Sequence, residues 1–122
     1  MSVNWGPQFI VPTEVIKIYS GRMLLRETYK RELLRKELEA LGVSGNPVEA
    51  VNPWFYRKKG EETWIKIGES SDETNDFAVP WNTINLENGE YEILGFMSVR
   101  VKTGNDEIVV SRQNIVNVAV EN

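Results

Sequence analysis

The chain has 122 residues, 41% hydrophobic and 26% charged, and a net charge of −4. That is enough for one domain with one core, and the acidic balance speaks against general nucleic-acid binding. With neither cysteine nor histidine, disulfides, thiol catalysis and cysteine metal sites are excluded, and so are the commonest general base and the commonest zinc ligand.

No apolar run reaches membrane-spanning length, so no membrane insertion is expected. The start, MSVNWGPQF, lacks a basic region followed by an apolar one, so no signal peptide is expected. Residues 1–13 read as an extended lead-in, because Pro7 and Pro12 oppose a helix. Residues 14–19 alternate and predict a strand, broken by Ser20-Gly21. Residues 22–41, RMLLRETYKRELLRKELEAL, are rich in good helix formers and precede Gly42, which predicts one N-terminal helix over about 22–41. Glu27 with Arg31, and Glu32 with Lys36, are spaced for i,i+4 ion pairs on it. On a helical wheel the apolar residues form two stripes. Leu25, Tyr29, Leu33 and Ala40 make one; Met23, Leu34, Leu38 and Leu41 make the other. The first is expected on the domain's own sheet. The second, Leu34, Leu38 and Leu41, is expected near the surface, as a candidate interaction surface for self-association or a protein partner.

GVSGNP, at 42–47, is a loop and the candidate boundary between a 1–47 extension and a 48–122 β core within a single 1–122 domain. From Val48 the pattern predicts only strands. Val48 to Arg57 carries Val51 and the Trp54-Phe55-Tyr56 cluster. Thr63 to Gly68 places Ile65 and Ile67 together, and Phe77, Val79 and Trp81 recur at period two. Asn88-Gly89 is a turn pair. Tyr91 follows it at the start of a second alternating run, where its hydroxyl can fold back onto upstream backbone as a tyrosine corner. TGND, at 103–106, is a hairpin turn. Val116, Val118 and Val120 share one face of the last strand. The expected core of this part is Phe55, Ile65, Ile67, Phe77, Val79, Trp81, Tyr91, Ile93, Val99, Val101, Val116 and Val118.

In order, the aromatic strand ending in KKG, then WIKIG, FAVPWNT, LENGEY, a polar hairpin and VNVAVEN resemble an immunoglobulin-like or fibronectin type III-like module of prokaryotic surface and extracellular proteins. The resemblance covers residues 48–122. It implies a mainly β, antiparallel β-sandwich, here preceded by a strand and a helix, and it leaves function open, since this architecture hosts many roles.

Candidate chemistry is sparse. Glu69, Asp72, Glu73 and Asp76 crowd one loop and carry calcium-type oxygens, but their spacing matches no known calcium loop, and a solvated polar loop is the simpler reading. Among Trp5, Trp54, Trp64 and Trp81, the alternation buries Trp81, whereas Trp64 and Trp54 are candidates for stacking on a glycan. Arg57, Lys58 and Lys59 read as a solvated turn. No acidic residue falls inside an apolar strand run, as paired-carboxylate hydrolysis would need. The sequence therefore points to a non-catalytic structural or protein-interaction module without a cofactor: a spacer, docking or assembly domain of a surface, extracellular or virion protein. The alternative is a carbohydrate-binding module using exposed Trp. A surface or extracellular setting is expected if the chain is part of a secreted protein, and a cytoplasmic or virion-associated one otherwise.

Overall fold

Period-two alternation governs most of this chain, and the fold is accordingly mainly β with one helix. The computed structural model describes residues 10–11 and 18–122. Most of the strand expected at 14–19, most of the lead-in and Trp5 lie outside the described residues. Among the described residues are strands β1 (Ile10–Val11), β2 (Ile18–Tyr19), β3 (Arg22–Glu27), β4 (Asn46–Lys58), β5 (Ile65–Ser70), β6 (Val79–Asn82), β7 (Gly89–Thr103) and β8 (Asp106–Val120). Helix α1 (Arg31–Ala40) stands between β3 and β4. Past residue 50 the one helical piece is a 3-10 turn, Glu73–Asn75. The strands form two sheets, ordered β1-β3-β6 and β2-β8-β7-β4-β5. β2 runs parallel to β8, so the larger sheet is mixed.

The long β7-β8 hairpin is the spine of the larger sheet. It pairs without a break from Thr103↔Asp106 to Gly89↔Val120. Gly104, at φ 65, supplies the left-handed residue that its two-residue turn demands. β4 pairs along the other side of β7, with register shifts between Pro47 and Glu49 and, against β5, between Trp54 and Phe55.

One face of this sheet is the inner one, and two apolar clusters cover it. Towards the hairpin tip, Leu34 and Leu38 of α1 pack with Ala50, Met97, Val99, Val101, Val110 and Phe77. Towards the other end, Leu25, Val79 and Trp81 of the smaller sheet pack with Trp54, Tyr91, Ile93, Val118 and Val120. Tyr91 is placed as expected: its hydroxyl donates to the Glu87 carbonyl at 2.8 Å, tying β7 to the turn that feeds it.

The helix is shorter than the sequence implies. Residues 22–27 form strand β3, hydrogen-bonded in register with β6 from Arg22↔Asn82 to Leu25↔Val79. Helix propensity there is worth only tenths of a kcal/mol per residue, and pairing with β6 while burying Leu25 and Glu27 outweighs it. The helix then closes in a Schellman arrangement. Gly42, at φ 79, donates to the Glu39 carbonyl and Val43 to that of Leu38, with Val43 packed on the cluster below. The expected core also needs correction. Ile65 is exposed, Ile67 and Val116 are half-buried against the second cluster, and Phe55 is half-buried on the opposite face of the sheet.

Candidate interaction surface

The sheet's second face is built at its centre by the alternate residues of β8, β7 and β4, with the paired Lys66 and Glu69 of β5 beside Phe55 and Pro53. The ladders set them in rows: Val109, Arg100 and Glu49; Ser111, Ser98 and Val51; Gln113 and Phe96; Ile115, Leu94 and Phe55; Asn117, Glu92 and Arg57. Pro53 continues the β4 column between Val51 and Phe55. The middle rows are largely apolar, with Phe55, Phe96, Val51 and Pro53 half-buried and Ile115 47% exposed; the polar members are Ser98, Ser111 and the exposed Gln113. The end rows are charged. At one end Arg100 bonds Glu49 at 2.8 Å and lies 3.3 Å from Glu107. At the other, Arg57 bonds Glu92 at 2.9 Å and lies over the Trp64 ring, 4.1 Å from its centroid. The centre of this face is thus largely apolar, and ion pairs close it at both ends.

The inner face holds a different kind of chemistry. Between the two apolar clusters lies a buried polar layer. Glu27 of β3 is fully buried, 3.8 Å from Arg112 Nε. The Asn52 amide, oriented to suit both neighbours, donates to Glu27 Oε2 at 2.5 Å and accepts from Trp54 Nε1 at 3.1 Å. Trp54 Nε1 also lies 3.1 Å from the Phe77 carbonyl. Arg112 donates to the Thr28 carbonyl. Gly95 makes room for this layer: a Cβ there would stand 3.0 Å from Glu27 Oε2 and 3.2 Å from the Trp54 ring. Burial pushes the Glu27 carboxyl up to about 7, against the pull of Arg112 and of the Asn114 amide nearby. The segment beside this layer is strained. Asp76 and Phe77 both stand in the left-handed region, at φ 58 and 55. They are held there by the bonds from Glu27 N to the Asp76 carbonyl and from Phe77 N to the Asp72 carbonyl.

Several of the residues singled out by sequence are placed otherwise than expected. Leu34 and Leu38 are fully buried, because α1 turns that stripe onto the sheet; Leu41 alone of the three is exposed, at 59%. Trp54 is fully buried and so is closed to a glycan. Trp64 is half-buried, with Arg57 over one face of its ring. In the acidic loop, Asp72 caps the 3-10 turn by accepting from Thr74 N at 3.0 Å, and Glu73 pairs with Arg31 at 3.1 Å. Glu27 therefore pairs with Arg112 rather than with Arg31, and Glu32 with Arg35 rather than with Lys36.

Besides the polar layer, two further features were not read from the sequence. The outer apolar rows had a signal: β7 and β8 carry apolar residues in both alternating sets (Ile93 with Leu94, Phe96 with Met97, Val109 with Val110), which marks strands with two apolar faces. Asn122 had none. Its Nδ2 donates to the Thr83 and Leu86 carbonyls at 2.6 and 3.1 Å, Gly21 N donates to its Oδ1, and its own N donates to Asn88 Oδ1 at 2.8 Å. It ties the β2–β3 turn and the β6–β7 loop to the end of β8. Among the described residues, no helix is long and apolar enough to cross a membrane. No family model matches the chain, and no curated protein matches it.

Proposed function

We propose that the chain is an immunoglobulin-like β-sandwich that serves as a non-catalytic docking and assembly module, binding a protein partner through the outer face of the larger sheet. Several observations support the fold reading. β3 and β6 are neighbours in one sheet, while β8, β7 and β4 are neighbours in the other with β5 added beyond β4. That is how strands B and E, and strands G, F, C and C′, are divided in variable-type domains. Such domains bury a Trp on strand C and bend a Tyr back at the start of strand F, two residues before a core cysteine. Here Trp54 on β4 is buried, the Tyr91 hydroxyl reaches the Glu87 carbonyl, and Ile93 stands two residues later, in one cluster with Leu25. The departure is α1, inserted between β3 and β4, which covers inner-face area that the short second sheet leaves open.

The observation that carries the functional reading is the apolar centre of the outer face, bounded by the Arg100–Glu49 and Arg57–Glu92 pairs. A surface, extracellular or virion setting rests on the family resemblance alone. The test substitutes Phe55→Thr and Phe96→Thr. Residues kept for contact rather than for folding should cost about 1 kcal/mol or less each in chemical denaturation, and hydroxyl-radical labelling of the dilute chain should mark both rings well above Ile93. Losses of about 3–5 kcal/mol, the range for core aromatics, with labelling at core level, would mean that this face is interior and the reading is wrong.

A further inference from the structure

The charges at the two ends of the outer face are arranged in opposite order. Phe96 lies midway, four residues after Glu92 and four before Arg100. On β7 the cation stands at the Arg100 end and the anion at the Glu92 end. On β4 the order reverses, Glu49 facing Arg100 and Arg57 facing Glu92. A two-fold axis in the plane of the face, crossing the strands at Phe96, exchanges the two ends while keeping each residue over its own strand. It sets Arg100 against the partner copy's Glu92 and Glu49 against the partner copy's Arg57, with Phe96 on Phe96 at the centre. One row further out, the exposed Lys102 meets the exposed Glu90 in the same way.

Building on the docking reading above, we infer that the occupant of this face is a second copy of the chain, packed sheet to sheet with its strands antiparallel. An isologous contact requires a surface complementary to itself, and the two central strands β7 and β4 meet that requirement in both sign and hydrophobicity, with Glu69 of β5 at the edge of the contact. On β7 and β4 the middle rows meet apolar or small residues: Val51 falls opposite Phe55, and Ser98 opposite Leu94, while on β8 Gln113 meets its own copy. Every charge in the two end rows finds its opposite. A differently charged partner would call for a face of one sign, whereas each end row here carries one cation and one anion. Aligned packing of two sheet faces about 10 Å apart lets interdigitating side chains of this size fill the gap.

The test exploits the reversed order. In its own dimer, Arg100→Glu sets the new carboxylate against the partner copy's Glu92, and Glu92→Arg sets the new guanidinium against the partner copy's Arg100. Both encounters are repulsive. Mixing the two variants brings the new carboxylate of one onto the new guanidinium of the other, and the unchanged Glu92 of the first onto the unchanged Arg100 of the second. Both of these are attractive. Sedimentation equilibrium of the wild type should show a monomer–dimer equilibrium, each single variant should associate about tenfold more weakly or worse, and the equimolar mixture should recover most of the loss as heterodimer. If either variant unfolds, Lys102→Glu with Glu90→Lys supplies the same crossed design one row out. A mixture that associates no better than its components overturns the two-fold register. A wild type that stays monomeric at the highest soluble concentration, while Phe55 and Phe96 are labelled as exposed, overturns self-association and leaves a different protein as the partner. Failure of the threonine variants to fold would instead remove the docking reading beneath it.

Discussion

A single hydroxyl fixes how β7 leaves its turn. The Tyr91 ring packs beside Tyr56 and Trp81, but its oxygen satisfies the Glu87 carbonyl four residues upstream. Tyr91→Phe should therefore cost about 1–3 kcal/mol although it removes one atom, because a carbonyl beside the core loses its donor. Chemical denaturation with an unchanged slope checks this, and a change within error would mean that the turn holds itself. At Glu27 the expectation is a pH dependence. The folded protein raises this carboxyl from 4.5 to about 7, so the native state keeps its proton where the unfolded chain has released it. Its contribution to stability is thus full below pH 4.5 and is lost as pH rises towards 7, by up to about 3 kcal/mol. Glu27→Gln should abolish that slope. Denaturation midpoints for the two proteins across pH 4–8 decide the matter, since a constant difference between them would assign any slope to other groups.

The helix shows which parts of an element can be read in advance. Its end was legible, because Gly42 can take a left-handed conformation and the Schellman bonds follow from that. Its beginning was not. Lys30 at the N-cap offers no side-chain cap, and Arg22–Glu27 consists of good helix formers. What makes β3 a strand is β6, more than fifty residues away, and local propensity cannot anticipate such a partner. With Leu25 in β3 and Tyr29 ahead of α1, the stripe expected to be buried is no longer a stripe of the helix. Leu34 and Leu38, expected at the surface, became core. Leu38→Ala should accordingly cost about 2–5 kcal/mol, and Leu41→Ala no more than about 0.5 kcal/mol, both by thermal or chemical unfolding. Similar losses at both positions would place Leu41 in the core as well.

At the scale of the whole molecule, the mainly β character and the Tyr91 turn were legible because strand alternation and turn chemistry are local. The outer face was harder to see, since a strand with apolar residues in both sets does not say which set faces the interior. The polar layer was invisible, because Glu27 looked like one more solvated residue of a charged helix. That layer has a further consequence, for how the two sheets find each other. An all-apolar inner face would tolerate β3 sliding along its neighbours, since one buried Leu or Val resembles the next. Glu27 removes this indifference. A slip by one residue would carry the carboxylate to the solvent side and bring Arg26 inward against Arg112, a like-charge encounter in a medium that screens poorly. The buried acid thus works as an alignment pin: the small sheet seats on the large one with Glu27 beside Arg112, and the slip that would bring Arg26 inward is electrostatically refused.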